Sequence, residues 1–572
     1  MEGDGENKQI SLTMLENVEG KEPFSVPIDE DHIGNDRAFK GDDSDGKVNW
    51  TIRTAIAALT LGMLYTGSQI VLYMIGGSLS YVEASLGAQG KGGWLTVSNT
   101  LAITAVAPFT GYLQDLVGRR EITLFGSAVI CVGIALVASA HAFGQAVAGM
   151  AIAGAGAGIC ELSALAGLSD IVPVKHRGFA LALMIACILP FTPYVIYGQL
   201  ISSRASWRWA IWMCLFYNAV VLIGLATTYF PKGHPRMEGV TKKKIMARID
   251  YIGAILSIVG LTILLVALQA GGYSHPWKSA YVLSQLIIGL VLVGAWVVWE
   301  WKFAKYPMIP RQIFQGQRVV ALTFFIAFVA GINFYSLLNF YPLSFATMYD
   351  PDPIQIGLKG LGYGISITAG AVFFNALLST SIEAKWILLV AASLMTAFGG
   401  ALIGVTPDTP SMVVAVGTIG GFGVGGILVP AATVAMIVVP DSLLATTAAL
   451  SLSIRTLGGS IGYTIYLAIF TNKIKTNLPA IVSQYVINAG LPVKDLEAFV
   501  TIFLTSPTKI ADAPGYSKEI ALAATMGSRW AYAESLKWVW VTSIPFGVLA
   551  MLACCFVPSI KKWQTKRIAV EL

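Results

Sequence analysis

The stretch Gly111-Tyr-Leu-Gln-Asp115-Leu-Val-Gly118-Arg119-Arg120 joins two long apolar runs, about 94–114 and 121–142. Each run is close to the roughly 20 residues that cross a bilayer as a helix. A charged turn this tight therefore belongs at a membrane surface. Gly111 lets a neighbouring helix come close, and Gly118 permits the reversal. Asp115 can meet the N-terminus of a facing helix, while Arg119 and Arg120 hold the turn on the cytoplasmic side. These five residues are the expected gating loop between two spans.

Composition agrees with that setting. Of 572 residues, 55% are hydrophobic and 12% charged, and the mean hydropathy is +0.68; soluble domains carry about 25% charged residues. The chain reads as an all-α polytopic membrane protein. Its formal charge of +6 comes from short basic clusters between apolar runs and not from one patch, which speaks for the positive-inside pattern and against a nucleic-acid partner. All six cysteines lie within apolar runs without metal-type spacing, so free thiols and no metal site are expected. No basic stretch followed by a short apolar core opens the chain, so the first span is expected to direct insertion.

Residues 1–50 are acidic and poor in aromatics, as in a disordered cytoplasmic tail. Fourteen apolar spans follow, at about 54–79, 94–114, 121–142, 145–168, 178–200, 209–230, 251–270, 280–301, 318–345, 356–379, 385–405, 411–438, 443–471 and 537–558. Basic residues at 119–120, 175–177, 232–248, 302–311 and 561–567 all fall on the face of the N-terminus, which places both termini in the cytoplasm. A parallel internal repeat is visible. Ile152-x-Gly154-x-Gly156-x-Gly158, ending in Pro173, returns 267 residues later as Ile419-x-Gly421-x-Gly423-x-Gly425, ending in Pro440. The expected division is a six-helix bundle over 51–230, a linker with an inserted helix pair over 231–317, a second six-helix bundle over 318–560 with an extracellular loop at 472–536, and a cytoplasmic tail at 561–572. A short amphipathic helix is expected around 519–535.

Ionisable groups at membrane depth cost roughly 2.5–3.5 kcal/mol each, so every one is a functional candidate. Glu161 sits mid-span among small and apolar residues, where a carboxyl held out of water can carry a proton reversibly. A structural carboxyl paired with another helix is the competing reading. Arg455 can attract an anionic group, pair with an acid or snorkel to the surface. Tyr65, Gln69 and Tyr73 recur at four-residue spacing and share a helix face. Asn333, Tyr335 and Asn339 repeat amide and phenol groups before Pro342, which is expected to kink its span. Such faces suit an amphipathic ligand, with helix-to-helix hydrogen bonding as the alternative. Gly154, Gly156 and Gly158, with Gly421, Gly423 and Gly425, are read as packing positions. Pro190 and Pro193 are expected to bend the fifth span.

The 111–120 pattern resembles the loop between the second and third spans of major facilitator superfamily transporters. With Ser206-Trp207-Arg208-Trp209, Ile249-Asp250-Tyr-Ile-Gly253 and fourteen spans, the chain resembles the 14-span drug:proton antiporters. Cys160-Glu161-Leu-Ser-Ala-Leu-Ala, Asp170-Ile-Val-Pro173-x-Lys-x-Arg177-Gly178 and Arg455-x-x-Gly-Gly-x-Ile-Gly are similar to fungal trichothecene efflux pump relatives. The resemblance implies a major facilitator fold, two six-helix bundles plus two inserted helices, and proton-coupled efflux of a small, largely apolar metabolite, mycotoxin or drug by alternating access. It further implies a monomer in the plasma membrane, with the vacuole or a secretory vesicle as alternatives, and neither enzyme activity nor a cofactor. The chain departs from that group in lacking a first-span Asp and in placing Met150 where a fourth-span arginine is usual. Proton coupling then falls to Glu161. Two rival readings are a siderophore-iron importer and a non-transporting receptor with the same fold.

Overall fold

The computed structural model describes residues 48, 50–88, 91–231, 248–272, 274–314, 318–349, 352–505, 510–511, 513–566 and 568. The expected acidic tail lies almost wholly outside them, as do Lys232, Arg236, Lys242, Lys243, Lys244 and Arg567.

Every long element is a helix, as a lipid environment demands, because backbone groups there must find partners within their own segment. In chain order the helices are α1 (Ile52–Gly77), α2 (Leu79–Ser85), α3 (Gly93–Val117), α4 (Arg119–Ala138), α5 (Phe143–Ile171), α6 (Arg177–Ala186), α7 (Tyr194–Arg204), α8 (Trp207–Thr228), α9 (Tyr251–Ala270) and α10 (Ala280–Val298). They continue as α11 (Arg318–Met348), α12 (Pro353–Leu377), α13 (Ala384–Ala401), α14 (Pro410–Leu428), α15 (Pro430–Val438), α16 (Leu444–Asn488), α17 (Leu496–Thr505) and α18 (Lys518–Cys555). Side chains at the N-termini stop the helices from fraying. Thr51 accepts from Thr54 N at 3.1 Å and Asp250 from Gly253 N at 2.8 Å, while Asp352 caps α12 ahead of Pro353 at its first turn.

Helices α1 and α3–α8 pack on one another, as do α11–α16 and α18. The two sets meet where α3 lies on α16 and where α6 and α7 lie on α12. The pair α9 and α10 leans on α3 and α16 from outside, tied by Tyr112 Oη donating to Arg248 O at 2.6 Å and Thr464 Oγ1 to Leu268 O at 3.1 Å. In α5, 83% of the apolar stretch is buried, against 17% in α10. The first is a core helix and the second presents its surface to lipid.

Among the described residues, twelve helical segments are long and apolar enough to cross a membrane, fewer than the fourteen expected. The two that fall outside that set are α3 and α16. Both are long enough, but they carry Asn99, Gln114 and Asp115 in one case and Arg455 with a run of Ser and Thr in the other. These polar residues face protein: Asn99, Gln114, Asp115, Thr446 and Thr447 are buried. The 472–536 region is also more helical than a loop. Helix α16 continues unbroken to Asn488, α18 begins at Lys518, and with α17 they enclose a small core around Val482, Val486, Phe499 and Ile520. The expected helix at 519–535 is the first part of α18.

The internal repeat extends into conformation. Pro173 is followed by a 3-10 turn at Val174–His176, and Pro440 by one at Asp441–Leu443, again 267 residues later. Gly156 packs on Ile130 of α4 and Gly423 on Met395 of α13, the corresponding neighbour in each half.

A methyl group at Gly156 would stand 2.7 Å from Ile130 Cα. Gly156→Ala is expected to destabilise the protein by about 1–3 kcal/mol, the usual cost of overpacking. Gly144→Ala, in the same helix with open space around it, should be neutral or slightly stabilising. Thermal unfolding of both variants in detergent checks the contrast; equal shifts would refute the packing role.

Candidate functional site

The glycines of α5 let it sit close to α3 and α4, Gly154 against Asn99 and Gly158 against Ile103. That depth carries Glu161 to the centre of the molecule, where it is 3% exposed. On the other side Gly331 of α11 lies against the backbone of Arg455, and Gly458 and Gly462 of α16 lie against Phe328 and Ile332. Arg455 is thereby held opposite Glu161.

The two groups form an ion pair across the halves: Arg455 Nη2 donates to Glu161 Oε1 at 3.2 Å. The second carboxylate oxygen accepts from Gln69 Nε2 of α1 at 3.0 Å. Glu161 is thus partnered on both oxygens, once from each half. The pair borders a cavity of about 190 Å³ whose walls include Tyr65, Gln69, Tyr73, Tyr335 and Arg455. Five residues expected at a ligand site, together with Glu161, are brought together by tertiary structure.

Asn333 and Asn339, also expected at a ligand site, are not among the residues that line this cavity. The cavity face of α11 is Phe334, Tyr335, Leu338, Tyr341 and Pro342, a stripe at helical spacing. Asn333 and Asn339 lie on either side of it. Asn333 accepts from Tyr466 Oη at 3.0 Å and donates to Met395 Sδ at 3.8 Å, a tie between helices. Asn339 is exposed, and its Nδ2 turns back to Tyr335 O at 2.6 Å.

Sequence reading passed over Tyr194 and Tyr363 as cavity residues. Tyr194 stacks on Tyr73 with ring centroids 4.9 Å apart and Tyr363 pairs with Tyr341 at 4.8 Å, so two ring pairs line the cavity. A signal existed for Tyr363, a phenol between Gly362 and Gly364 in an apolar span. Tyr194 follows the break at Pro190 and Pro193, whose effect on direction only the folded chain defines. There the helix stops at Ala186, passes through a 3-10 turn at Leu189–Phe191 and resumes at Tyr194.

The 111–120 turn packs against the start of α16. Gly118 has φ +115°, a region L side chains avoid, so glycine is required there. A Cβ on Gly111 would come within 2.7 Å of Ala445 O, which shows how closely α3 crosses α16. Asp115 accepts from Ala445 N at 3.2 Å, Thr446 N at 2.8 Å and Thr446 Oγ1 at 2.6 Å, at the positive end of α16. Arg119 lies 3.7 Å from Asp115 and forms an ion pair with Asp170. Arg120 donates to Tyr229 O and Ala226 O and covers the Phe230 ring. Beside them Arg177 joins the halves, donating to Ser169 O at 2.9 Å, Met436 O at 3.0 Å and Asp441 Oδ1 at 2.9 Å. The C-terminal segment adds a strap: Lys175 N donates to Thr565 O at 3.0 Å and Gln564 Nε2 to Leu378 O at 2.8 Å.

Two helix bundles around a central cavity of apolar and phenolic walls with one charged pair, the halves being joined at one end by ion pairs and hydrogen bonds, define a secondary transporter of the major facilitator type. Residues 49–572 match the pattern of the family described as "Fungal trichothecene efflux pump (TRI12)", and the chain belongs to that family. The MFS-type efflux pump LUC4 of a Fusarium species is 27% identical over 529 residues, 89% of this chain and 88% of that protein. The trichothecene efflux pump TRI12 of Fusarium sporotrichioides is 23% identical over 477 residues, 81% and 79% of the two chains. Among solved structures, the proton:xylose symporter XylE superposes with a TM-score of 0.53 at 14% identity, over 90% of this chain and 98% of that one. The relatives are transporters and not enzymes, and the protein is a multi-pass membrane protein.

Substitutions at both places test these contacts. Arg455→Gln leaves Glu161 buried without its cation and should cost about 3–5 kcal/mol, part of which Glu161→Gln/Arg455→Gln recovers; the double-mutant cycle completed by Glu161→Gln, read by unfolding in detergent, gives the coupling, and additive effects would disprove the pair. Asp115→Ala should lose about 1–3 kcal/mol of charged capping and raise maleimide labelling of Thr446→Cys; unchanged labelling would show that Asp115 does not hold that end shut.

Proposed function

We propose that the protein is a proton-coupled exporter of a small, largely apolar metabolite, mycotoxin or drug, working by alternating access. The observation that carries this reading is the Glu161–Arg455 pair, which joins the two halves inside a phenol-lined cavity. The efflux pumps among its relatives support the direction of transport.

Glu161 is the proton-coupling residue, and Tyr65, Gln69, Tyr73, Tyr335 and Arg455 bind cargo. With Glu161 ionised, the pair holds the halves together. A proton on Glu161 removes the attraction and leaves Arg455 alone, which favours a state that admits water. Breaking a buried pair costs about 3–5 kcal/mol. One proton falling through 100 mV supplies about 2.3 kcal/mol, with the pH gradient in addition, so a single proton is of the right size to operate the switch. A cargo hydroxyl donating to the carboxylate in place of Gln69 needs Glu161 ionised. Cargo and proton then compete for one group, the condition for exchange. Gly111, Asp115, Gly118, Arg119 and Arg120 act as the gate that opens when the central pair is released.

The membrane reading is fourteen crossings, α3 and α16 included, since both are interleaved with helices that are apolar enough to cross. The domains are the tail 1–50, bundles 51–230 and 318–560 with the intervening linker and helix pair, the extracellular region 472–536 and the tail 561–572. The protein works as a monomer in the plasma membrane with the 111–120 turn facing the cytoplasm.

Efflux-deficient yeast expressing the protein or Glu161→Gln, given a panel of fungal toxins and azole drugs, tests the reading. The wild type should lower accumulation of at least one compound, and both Glu161→Gln and a protonophore should remove the difference. Equal accumulation in wild type and empty vector, with the protein at the cell surface, would sink the proposal of export.

A further inference from the structure

A second hollow lies apart from the one holding the charged pair. A groove of about 830 Å³ lies between α7 and α8 over α1, bordered by Met63, Met74, Phe191, Trp212, Met213 and Phe216 among others, with no charged side chain in its lining. Met213 and Phe216 are exposed on its rim. It occupies the half of the bilayer away from the 111–120 turn. Its α8 residues run from Trp209 to Val220, whereas the far end of that helix is tied to Arg120 through Ala226 and Tyr229.

Groove and central cavity share a wall. In α1, Met63, Ile70 and Met74 face the groove, and Tyr65, Gln69 and Tyr73 face the cavity. The rest of the wall is the break between α6 and α7. Pro190 and Phe191 line the groove, while Ile188, Thr192, Pro193 and Tyr194 line the cavity. Two prolines in four residues remove two backbone donors, so fewer hydrogen bonds hold this segment than a helix of the same length. Phe191 meets Tyr217 edge-on at 5.5 Å on the groove side, and Tyr217 Oη donates to Met63 O at 3.2 Å.

We infer that the groove is a lateral port through which a neutral, apolar cargo passes between the adjoining leaflet and the central cavity, with the 187–193 break and Phe191 as the moving flap. The inference rests on the central cavity being the cargo site. A phospholipid tail would lie along the groove and go no further, and it gains nothing from a wall that is broken where the cavity begins. A cargo dissolved in the leaflet meets apolar side chains throughout the groove and its first hydrogen-bonding groups only beyond the flap. All residues lining the groove belong to the N-terminal helices.

The test uses the full chain in lipid nanodiscs, with Cys187 and Cys214 replaced by Ala and Phe191→Cys/Tyr217→Cys bridged by a reducible bifunctional thiosulfonate. Benzophenone, neutral and photoreactive, is the probe, and 4-benzoylbenzoate its water-soluble counterpart; adducts are mapped by peptide mass spectrometry. Unbridged protein should carry benzophenone adducts on the groove, at Met74 or Met213, and in the cavity, near Tyr73. Bridging should cut the cavity adducts at least five-fold and leave the groove adducts in place, and reduction should restore them. Water-soluble probe should reach the cavity with or without the bridge. Cavity labelling by benzophenone that ignores the bridge would overturn the port, and so would groove labelling no stronger than at lipid-facing Ile287 and Val291, which marks a surface filled by lipid alone. A cavity that takes neither probe would instead refute the cavity as a cargo site, and the port with it.

Discussion

Close approach of helices through small residues is the constraint on which the rest of the structure depends. Lipid offers no hydrophobic force to bring apolar helices together, so packing and interhelical hydrogen bonds must do it. Gly154, Gly156 and Gly158 seat α5 against α3 and α4, and Gly421, Gly423 and Gly425 seat α14 against its counterparts. That seating sets the depth of Glu161. Gly331, Gly458 and Gly462 do the same for Arg455 by bringing α11 and α16 into backbone contact.

Charges brought out of water have to be paired, and the pairs fall into two groups. At the centre, Glu161 is shared between Gln69 of one half and Arg455 of the other, beside a cavity. At the 111–120 end, Asp115, Arg119, Asp170, Arg177 and Asp441 form a dense set against helix ends and carbonyls. The first group lines the cavity, and the second joins helix ends and carbonyls of the two halves.

Much of the fold was legible in the sequence, because apolar run length is a direct consequence of bilayer thickness. The repeat at an offset of 267 residues was equally plain, and it reappears as matching 3-10 turns. The number of spans was harder to read in terms of apolarity, since α3 and α16 bury polar residues against protein instead of showing them to lipid. Helices α16 and α18 run on into 472–536, where charges and amides leave no long apolar run to mark them in the sequence.

The sequence by itself determined the class of protein, the candidate charges and the face shared by Tyr65, Gln69 and Tyr73, all of which follow from local spacing. It could not determine that Glu161 and Arg455, 294 residues apart, meet. Nor could it tell that Asn333 and Asn339 turn away from the cavity while Tyr194 and Tyr363 turn toward it. Those outcomes depend on the rotation of each helix about its own axis and on the direction of the chain after Pro193. Neighbouring helices set both, and their contacts exist only in the folded protein.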